Sequence, residues 1–255
     1  MRLTLGAAMV QLALIRRDLN YVFPLVTAPF TTVVLMMIVR TGGRGDLSGD
    51  ALVAAALIAL WSLALIVSGD IIESDRVYGV LELLAAAPSR LGTIVFARVA
   101  TATAVSLVAL AEIWLVAWLG LDVVVFPTHP LAFAAALLAT AFATAGTAVV
   151  LAAVFVHVRG ARVFRNSITY PFYVLGGVMV PVALLPGWIR PLSSLVFLSW
   201  SAELLRQSLD QGPIAGIALR LGMIVLLGAV GLLAGVMLVE RLLSTARRQG
   251  SLVLW

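Results

Sequence analysis

Long apolar runs separated by short polar segments dominate the sequence. Six of these runs are close to the 20 or so residues that a helix needs to cross the hydrocarbon core of a bilayer. The runs are residues 21–39, 51–69, 93–118, 131–156, 167–185 and 214–239. The pattern therefore predicts six membrane-spanning helices joined by short loops.

The first apolar stretch, residues 3–15, is too short to span a membrane and ends in Arg16 and Arg17. We therefore predict a helix over residues 1–20 that lies in the membrane interface. A signal peptide is the rival interpretation, but no small-residue cleavage site precedes the next apolar run.

A second irregular stretch precedes the last span. Pro181 and Pro186 end an apolar run, and Pro191 and Pro213 follow within the next 27 residues. Apolar helices broken at membrane depth need cover from protein or a cavity. Residues 186–213 are therefore predicted to form a re-entrant segment of short helices in the outer leaflet.

Composition agrees with this fold class. The chain is 62% apolar and 11% charged, with a mean hydropathy of +1.12, whereas soluble domains carry about 25% charged residues. We expect an all-α integral membrane protein, folded as a single transmembrane domain over residues 1–255. An ordinary soluble enzyme is excluded.

Two absent residue types exclude several chemistries. The chain has no cysteine, and all 17 basic residues are arginine. Thiolate metal sites and lysine Schiff bases are therefore excluded, as is a Walker A phosphate loop in this chain. His129 and His157 fall on opposite sides of the predicted membrane, so no metal site and no catalytic residue is predicted.

Arginine placement predicts the orientation. With the N-terminus inside, 12 of the 17 arginines lie on the inner side and five on the outer side, which favours cytoplasmic termini. The inner set is Arg2, Arg16, Arg17, Arg76, Arg90, Arg98, Arg159, Arg162, Arg165, Arg241, Arg247 and Arg248.

The most polar segment, residues 70–92, is acidic on this otherwise basic side. Asp70, Glu73, Asp75 and Glu82 face only two arginines there, and anionic lipid headgroups repel such a patch. We interpret it as a docking helix for a cytoplasmic partner, although a solvated loop helix remains the alternative. Helical spacing would pair Glu73 with Arg76.

Few other polar residues are candidates for a functional site. Glu112 is the clear ionisable residue inside a predicted span, and it either lines a translocation path or is hydrogen-bonded within the bundle. Glu203 and Arg206 stand three residues apart in the re-entrant segment, where they would pair with each other. Gly228, Gly231 and Gly235 form a small-residue face that is typical of helix packing.

The string ESDRVYGVLELLAAAPSR (residues 73–90) resembles the signature of type-2 ATP-binding-cassette permeases, the membrane subunits of ABC exporters. Glu73, Gly79, Leu81, Glu82 and Pro88 match it, whereas Val80 stands where the family usually has threonine. The interfacial helix, the six spans and the segment from Pro181 to Arg206 extend the resemblance over nearly the whole chain.

The resemblance implies that residues 70–92 dock a separate nucleotide-binding ATPase subunit. That subunit would hold ATP and magnesium, with no cofactor on this chain, and ATP-driven dimerisation would switch the spans between inward-open and outward-open states. The docking residues would be Glu73, Asp75, Arg76, Gly79 and Glu82. Arg162 is a weaker second contact, for which a positive-inside anchor is the alternative.

The resemblance also implies a second permease subunit, either a copy or a relative, and a bacterial plasma membrane. Its substrate would be a hydrophobic or amphipathic compound, such as a drug, a natural product or a lipid-like molecule. A polysaccharide or lipid-linked glycan exporter is one alternative. An intramembrane enzyme or an assembly factor without transport is another, although no convergent polar cluster supports it. No nucleic-acid partner is expected.

Overall fold

A computed structural model describes residues 2–17, 19–77, 91–155 and 161–249 of the chain. This part is helical, with ten α-helices, two short 3₁₀ turns and no β-strand among the described residues. The helices are α1 (Arg2–Arg17), α2 (Leu19–Thr41), α3 (Ser48–Val77), α4 (Leu91–Ser106), α5 (Val108–Leu121), α6 (Pro130–Phe155), α7 (Ala161–Leu175), α8 (Arg190–Ser193), α9 (Phe197–Leu209) and α10 (Ile217–Gln249).

Four helical segments of the described chain are long and apolar enough to cross a membrane. They are Gly45–Gly69, Thr93–Leu121, Pro130–Phe155 and Ile217–Leu242. The apolar helix α2, Leu19–Thr41, is 23 residues long. These lengths are consistent with a membrane protein. The number of six spans stays a prediction.

Helix α3 is the central element of the bundle. Side chains from its length enter all three buried apolar clusters, through Leu57, Leu63 and Leu52 respectively. Within its most apolar 18 residues, 83% are buried. A helix that is apolar all round is expected to be buried on all sides, and the small side chains of its many alanines let the neighbouring helices approach closely.

Helix α7 differs from the predicted span over residues 167–185. It begins at Ala161, inside the predicted basic loop, and ends at Leu175. Gly177 adopts a φ of +63°, a conformation that glycine tolerates and that commonly ends helices. The apolar run continues past this stop as a 3₁₀ turn over Val182–Leu184, so hydropathy alone could not show the end of the helix.

The third predicted span is interrupted at Leu107, between α4 and α5. The Leu107 amide donates to the Ala104 carbonyl, and the Leu110 amide donates to the Leu107 carbonyl, both at 3.2 Å. These contacts reach back three residues instead of four, so the helix is locally tightened there.

Helices α6 and α10 pack closely through glycine. A Cβ atom added to Gly228 would lie 2.6 Å from the Cα atom of Ala143, and one added to Gly235 would lie 2.7 Å from the amide nitrogen of Val150. Gly231 lies against the backbone of Gly146 in the same way. The structure confirms that this small-residue face serves helix packing.

Helix α1 packs against α4 instead of standing apart from the bundle. Ala7, Gln11 and Ile15 form its buried stripe. Gln11 accepts a hydrogen bond from Nε of Arg98 at 3.0 Å. Arg98 is only 4% exposed, so its side chain is enclosed where α1 packs against α4, and its assignment to the inner side of the membrane stays a prediction.

Candidate functional site

Several polar side chains that form hydrogen bonds and ion pairs between helices lie together at one end of the bundle. Helices α3, α6 and α10 begin there and α7 ends there, and we call it the α9 end because α9 lies across it. The amide of Val178 donates to the Tyr173 carbonyl at 3.0 Å, around the turn at Gly177. This turn closes α7 and leaves the carbonyls of Gly177 and Val178 available to other donors.

Arg206 of α9 donates hydrogen bonds to both of these carbonyls. Its Nη1 donates to the Gly177 carbonyl at 2.7 Å and its Nη2 donates to the Val178 carbonyl at 2.8 Å. A cation at the carboxyl end of a helix also opposes the negative end of the helix dipole favourably. Burial lowers the pKa of Arg206, whereas the nearby carboxylates of Asp50 and Glu203 raise it. Because arginine stays protonated in folded proteins, Arg206 is a cation.

Asp50, in the first turn of α3, is the ionic partner of Arg206. The Oδ1 atom of Asp50 lies 3.4 Å from Nε of Arg206. Nε has no hydrogen-bond partner among the described residues, so the contact is an ion pair without hydrogen-bond geometry. Arg206 thereby connects three elements: α9, the end of α7 and the start of α3.

Glu203 does not form the predicted ion pair with Arg206. It pairs instead with Arg220 of α10, with Nη2 of Arg220 at 2.9 Å from its Oε1 atom. The exposed amide of Gln207 contacts the same oxygen at 3.4 Å. The expected local pair fails because Arg206 turns inward to the end of α7, whereas Glu203 faces the first turns of α10.

The segment before α6 is also tied to α9. The amide of His129 donates to the Ser208 carbonyl and the hydroxyl of Thr128 donates to the Leu209 carbonyl, both at 3.0 Å. Nε2 of His129 lies 3.1 Å from the Gly212 carbonyl oxygen. These contacts indicate that His129 helps to hold the segment before α6 against α9. His157 lies outside the described residues.

The two prolines predicted to mark the irregular segment bound its short turns. Pro181 precedes the 3₁₀ turn Val182–Leu184, and the Pro186 carbonyl accepts the Ile189 amide at 2.9 Å. Arg190 then bonds back to the Leu185 carbonyl at 2.9 Å. Short helices therefore do occupy this stretch, and its insertion into a leaflet remains a prediction.

Glu112 lies apart from the α9 end cluster, on α5. Its Oε2 atom is buried and has no hydrogen-bond partner among the described residues. Ile113 and Ala109 beside it enter the apolar cluster with α2 and α3, so the carboxylate sits at the edge of an apolar interface. Both interpretations of Glu112, a residue of the translocation path or a carboxyl hydrogen-bonded within the bundle, stay predictions.

The predicted docking residues lie only partly within the described part of the chain. Helix α3 continues as far as Val77, so the backbone of Glu73, Asp75 and Arg76 extends the central helix. Gly79 and Glu82 lie outside the described residues. Arg162 falls in the first turn of α7 instead of a loop, and its docking role stays a prediction.

Sequence reasoning missed two ionic partners, Asp50 and Arg220. Each stands near an end of an apolar run, where a charged residue normally marks only the membrane boundary. Their partners lie on α9, beyond the three- or four-residue spacing of helical pairs, so local spacing could not identify them. Among the described residues, no group of three or more histidine, cysteine, aspartate or glutamate side chains could hold a metal ion.

Comparison with known protein families gives one match. The family model described as ABC-2 type transporter matches residues 4–209, which include most of α1 and all of α2 to α9. A search of curated proteins found no match.

Proposed function

The chain belongs to the ABC-2 type transporter family, and from this premise we propose that it is the membrane-spanning permease subunit of an ATP-driven exporter. A hydrophobic or amphipathic compound, such as a drug, a natural product or a lipid-like molecule, would be the substrate. ATP and magnesium would bind a separate ATPase subunit. The family match over most of the chain is the observation that carries this proposal.

We place the docking site for the ATPase in residues 70–92. The acidic side chains of Glu73, Asp75 and Glu82 would meet basic groups of the partner, and Arg76 and Gly79 would set the angle of the docking helix. Support comes from the excess of acidic residues on an otherwise basic side of the protein. Helix α3 runs directly into this segment.

The proposed orientation places both termini in the cytoplasm of a bacterial cell and the α9 end outside the plasma membrane. The distribution of arginines supports it. A second permease, either a copy or a relative, would complete the pathway. Glu112 would line that pathway, because it presents a buried carboxylate oxygen without a partner in the described structure.

Co-purification from membranes tests the docking proposal. We expect an ATPase subunit to remain bound to the wild type and to Arg162→Ala, and to be lost from Glu82→Arg. The Arg162→Ala variant changes charge on the same side of the membrane outside the acidic segment, and retention of the ATPase by it would favour a positive-inside anchor over a second docking contact for Arg162. Absence of any ATPase from folded wild-type protein would overturn the proposed function.

A further inference from the structure

We infer that the contact between the first turn of α3 and α9 is a joint that opens during the transport cycle, with Asp50 and Arg206 holding it closed. This inference rests on the proposed function. It assigns Asp50 as a positioning residue of transport and identifies which contact at the α9 end separates.

Arg206 is held firmly on one side of this joint. Its two terminal nitrogens donate short hydrogen bonds of 2.7 and 2.8 Å to the end of α7. Hydrogen bonds of this length from a charged donor are among the stronger ones in proteins. Arg206 therefore moves with α7 and α9.

The other side of the joint is weaker. The Asp50 carboxylate reaches Arg206 at 3.4 Å, and its side chain is 39% exposed, compared with 14% for Arg206. Ion pairs that water can reach are separable at little cost. If α3 moves relative to α9, the ion pair between Asp50 and Arg206 breaks before the bonds between Arg206 and α7.

The remaining polar ties of α9 lead to other helices. Glu203 binds Arg220 at the start of α10, and the Leu209 carbonyl binds Thr128 before α6. Together with the bonds of Arg206, these ties join the ends of α6, α7 and α10 to α9 as one unit. Helix α3 is attached to this unit at the rim by the ion pair and by close contact of Gly49 with Leu209. Deeper in the bundle, Leu57 and Trp61 of α3 share a buried apolar cluster with Leu205 and Phe197 of α9, so the separation we infer is confined to the first turn of α3.

A second polar tie gives α3 a point about which to tilt. The Ser62 hydroxyl and the Tyr173 hydroxyl lie 3.0 Å apart, and Ser62 follows Asp50 by twelve residues, about 18 Å along the helix axis. The proposed docking segment continues from the opposite end of the same helix. A push on that end would swing Asp50 away from Arg206 while the buried tie holds.

The joint offers a direct cross-linking test. A Cβ atom at Gly49 would lie 3.9 Å from the Cβ atom of Leu209, within the range of disulfides, and the chain has no native cysteine. Gly49→Cys/Leu209→Cys is therefore oxidised in nanodiscs that contain the complex with its partner ATPase. The cross-linked fraction is measured without nucleotide and with ATP and vanadate, and nucleotide retained on the ATPase is measured in the same samples.

We expect efficient cross-linking without nucleotide and a several-fold lower rate when nucleotide is trapped. Each single cysteine variant, oxidised alone, is the control for contacts between copies. An unchanged rate despite trapped nucleotide would overturn the joint and leave the proposed function intact. Absence of a partner ATPase, or of any nucleotide trapping, would overturn the proposed function and the inference with it.

A charge variant tests the same joint without nucleotide. Asp50→Asn in the double-cysteine background removes the ion pair, and we expect a cross-linking rate about two- to fivefold lower, given the usual strength of such pairs. Asp46→Asn is the matched control, because Asp46 pairs only with the exposed Arg44 among the described residues. Equal rates for Asp50→Asn, Asp46→Asn and the parent would contradict the inferred role of Asp50.

Discussion

Arg206 shows how one side chain organises an end of this membrane bundle. It satisfies two carbonyls at the point where α7 stops and places its positive charge at the carboxyl end of that helix. Methionine would keep the apolar stem of the side chain and remove all its donors, so the two carbonyls would lose their partners. We therefore expect Arg206 to stabilise the fold mainly through its hydrogen bonds to backbone carbonyls.

We expect Arg206→Met to lower the free energy of unfolding by about 2–4 kcal/mol, from the loss of two charge-assisted hydrogen bonds. Arg44→Met is the control, since Arg44 forms an exposed ion pair with Asp46, and should cost less than about 1 kcal/mol. Thermal unfolding of the purified proteins in detergent measures both. Equal destabilisation by the two substitutions would show that Arg206 has no special structural role.

The proposed role of Glu112 in the translocation path depends on its negative charge. We expect Glu112→Gln to fold normally and to abolish the stimulation of ATP hydrolysis by cationic amphipathic compounds. The neutral amide of glutamine would not attract these cations as the carboxylate does. Stimulation by neutral amphipathic compounds should persist. The measurement is ATP hydrolysis by the reconstituted complex, with the exposed Asp46→Asn as control, and loss of both kinds of stimulation would contradict a charge-specific role.

At the scale of elements, the small residues of α6 and α10 determine how closely the two helices approach. We expect Gly228→Ala to destabilise the protein by about 1–3 kcal/mol, as overpacking of a close interface does. Gly222→Ala lies on the same helix with no atom within 4 Å of the new Cβ, and should be neutral or slightly stabilising. Thermal unfolding compares the two, and equal midpoints would contradict the close contact.

The sequence predicted elements better than contacts. Apolar runs identified the long helices, because a bilayer demands about 20 apolar residues of each span, and glycine spacing identified the packing face of α10 but not its partner, α6. The end of α7 was missed, since the residues after Gly177 are as apolar as those before it. The partners of Arg206 and Glu203 were missed as well, because α3 and α10 are brought to α9 only by the tertiary fold.

Arg98 illustrates a further limit of sequence reasoning. An arginine near the end of an apolar run is normally assigned to the membrane boundary, yet Arg98 is enclosed where α1 packs against α4. A count of charges cannot distinguish a headgroup contact from a buried hydrogen bond. Even without Arg98, most of the arginines lie on the predicted inner side, so the predicted orientation is unchanged.

At the scale of the whole molecule, the proposed orientation makes a simple prediction for a chain without native cysteine. A membrane-impermeant maleimide should label Gly45→Cys, at the α9 end, in intact cells, because the proposed orientation puts that end outside. It should label Ser244→Cys, near the other end of α10, only after permeabilisation. Both positions are exposed, so the reverse pattern would contradict the orientation.

The central claim is that ATP hydrolysis on a partner chain drives this permease. The most direct measurement compares ATP hydrolysis by the partner ATPase alone, with the wild-type permease and with Glu82→Arg, in the same lipid nanodiscs. We predict that the wild type raises vanadate-sensitive hydrolysis above the rate of the ATPase alone and that Glu82→Arg does not. Equal rates with and without the wild-type permease would contradict the claim.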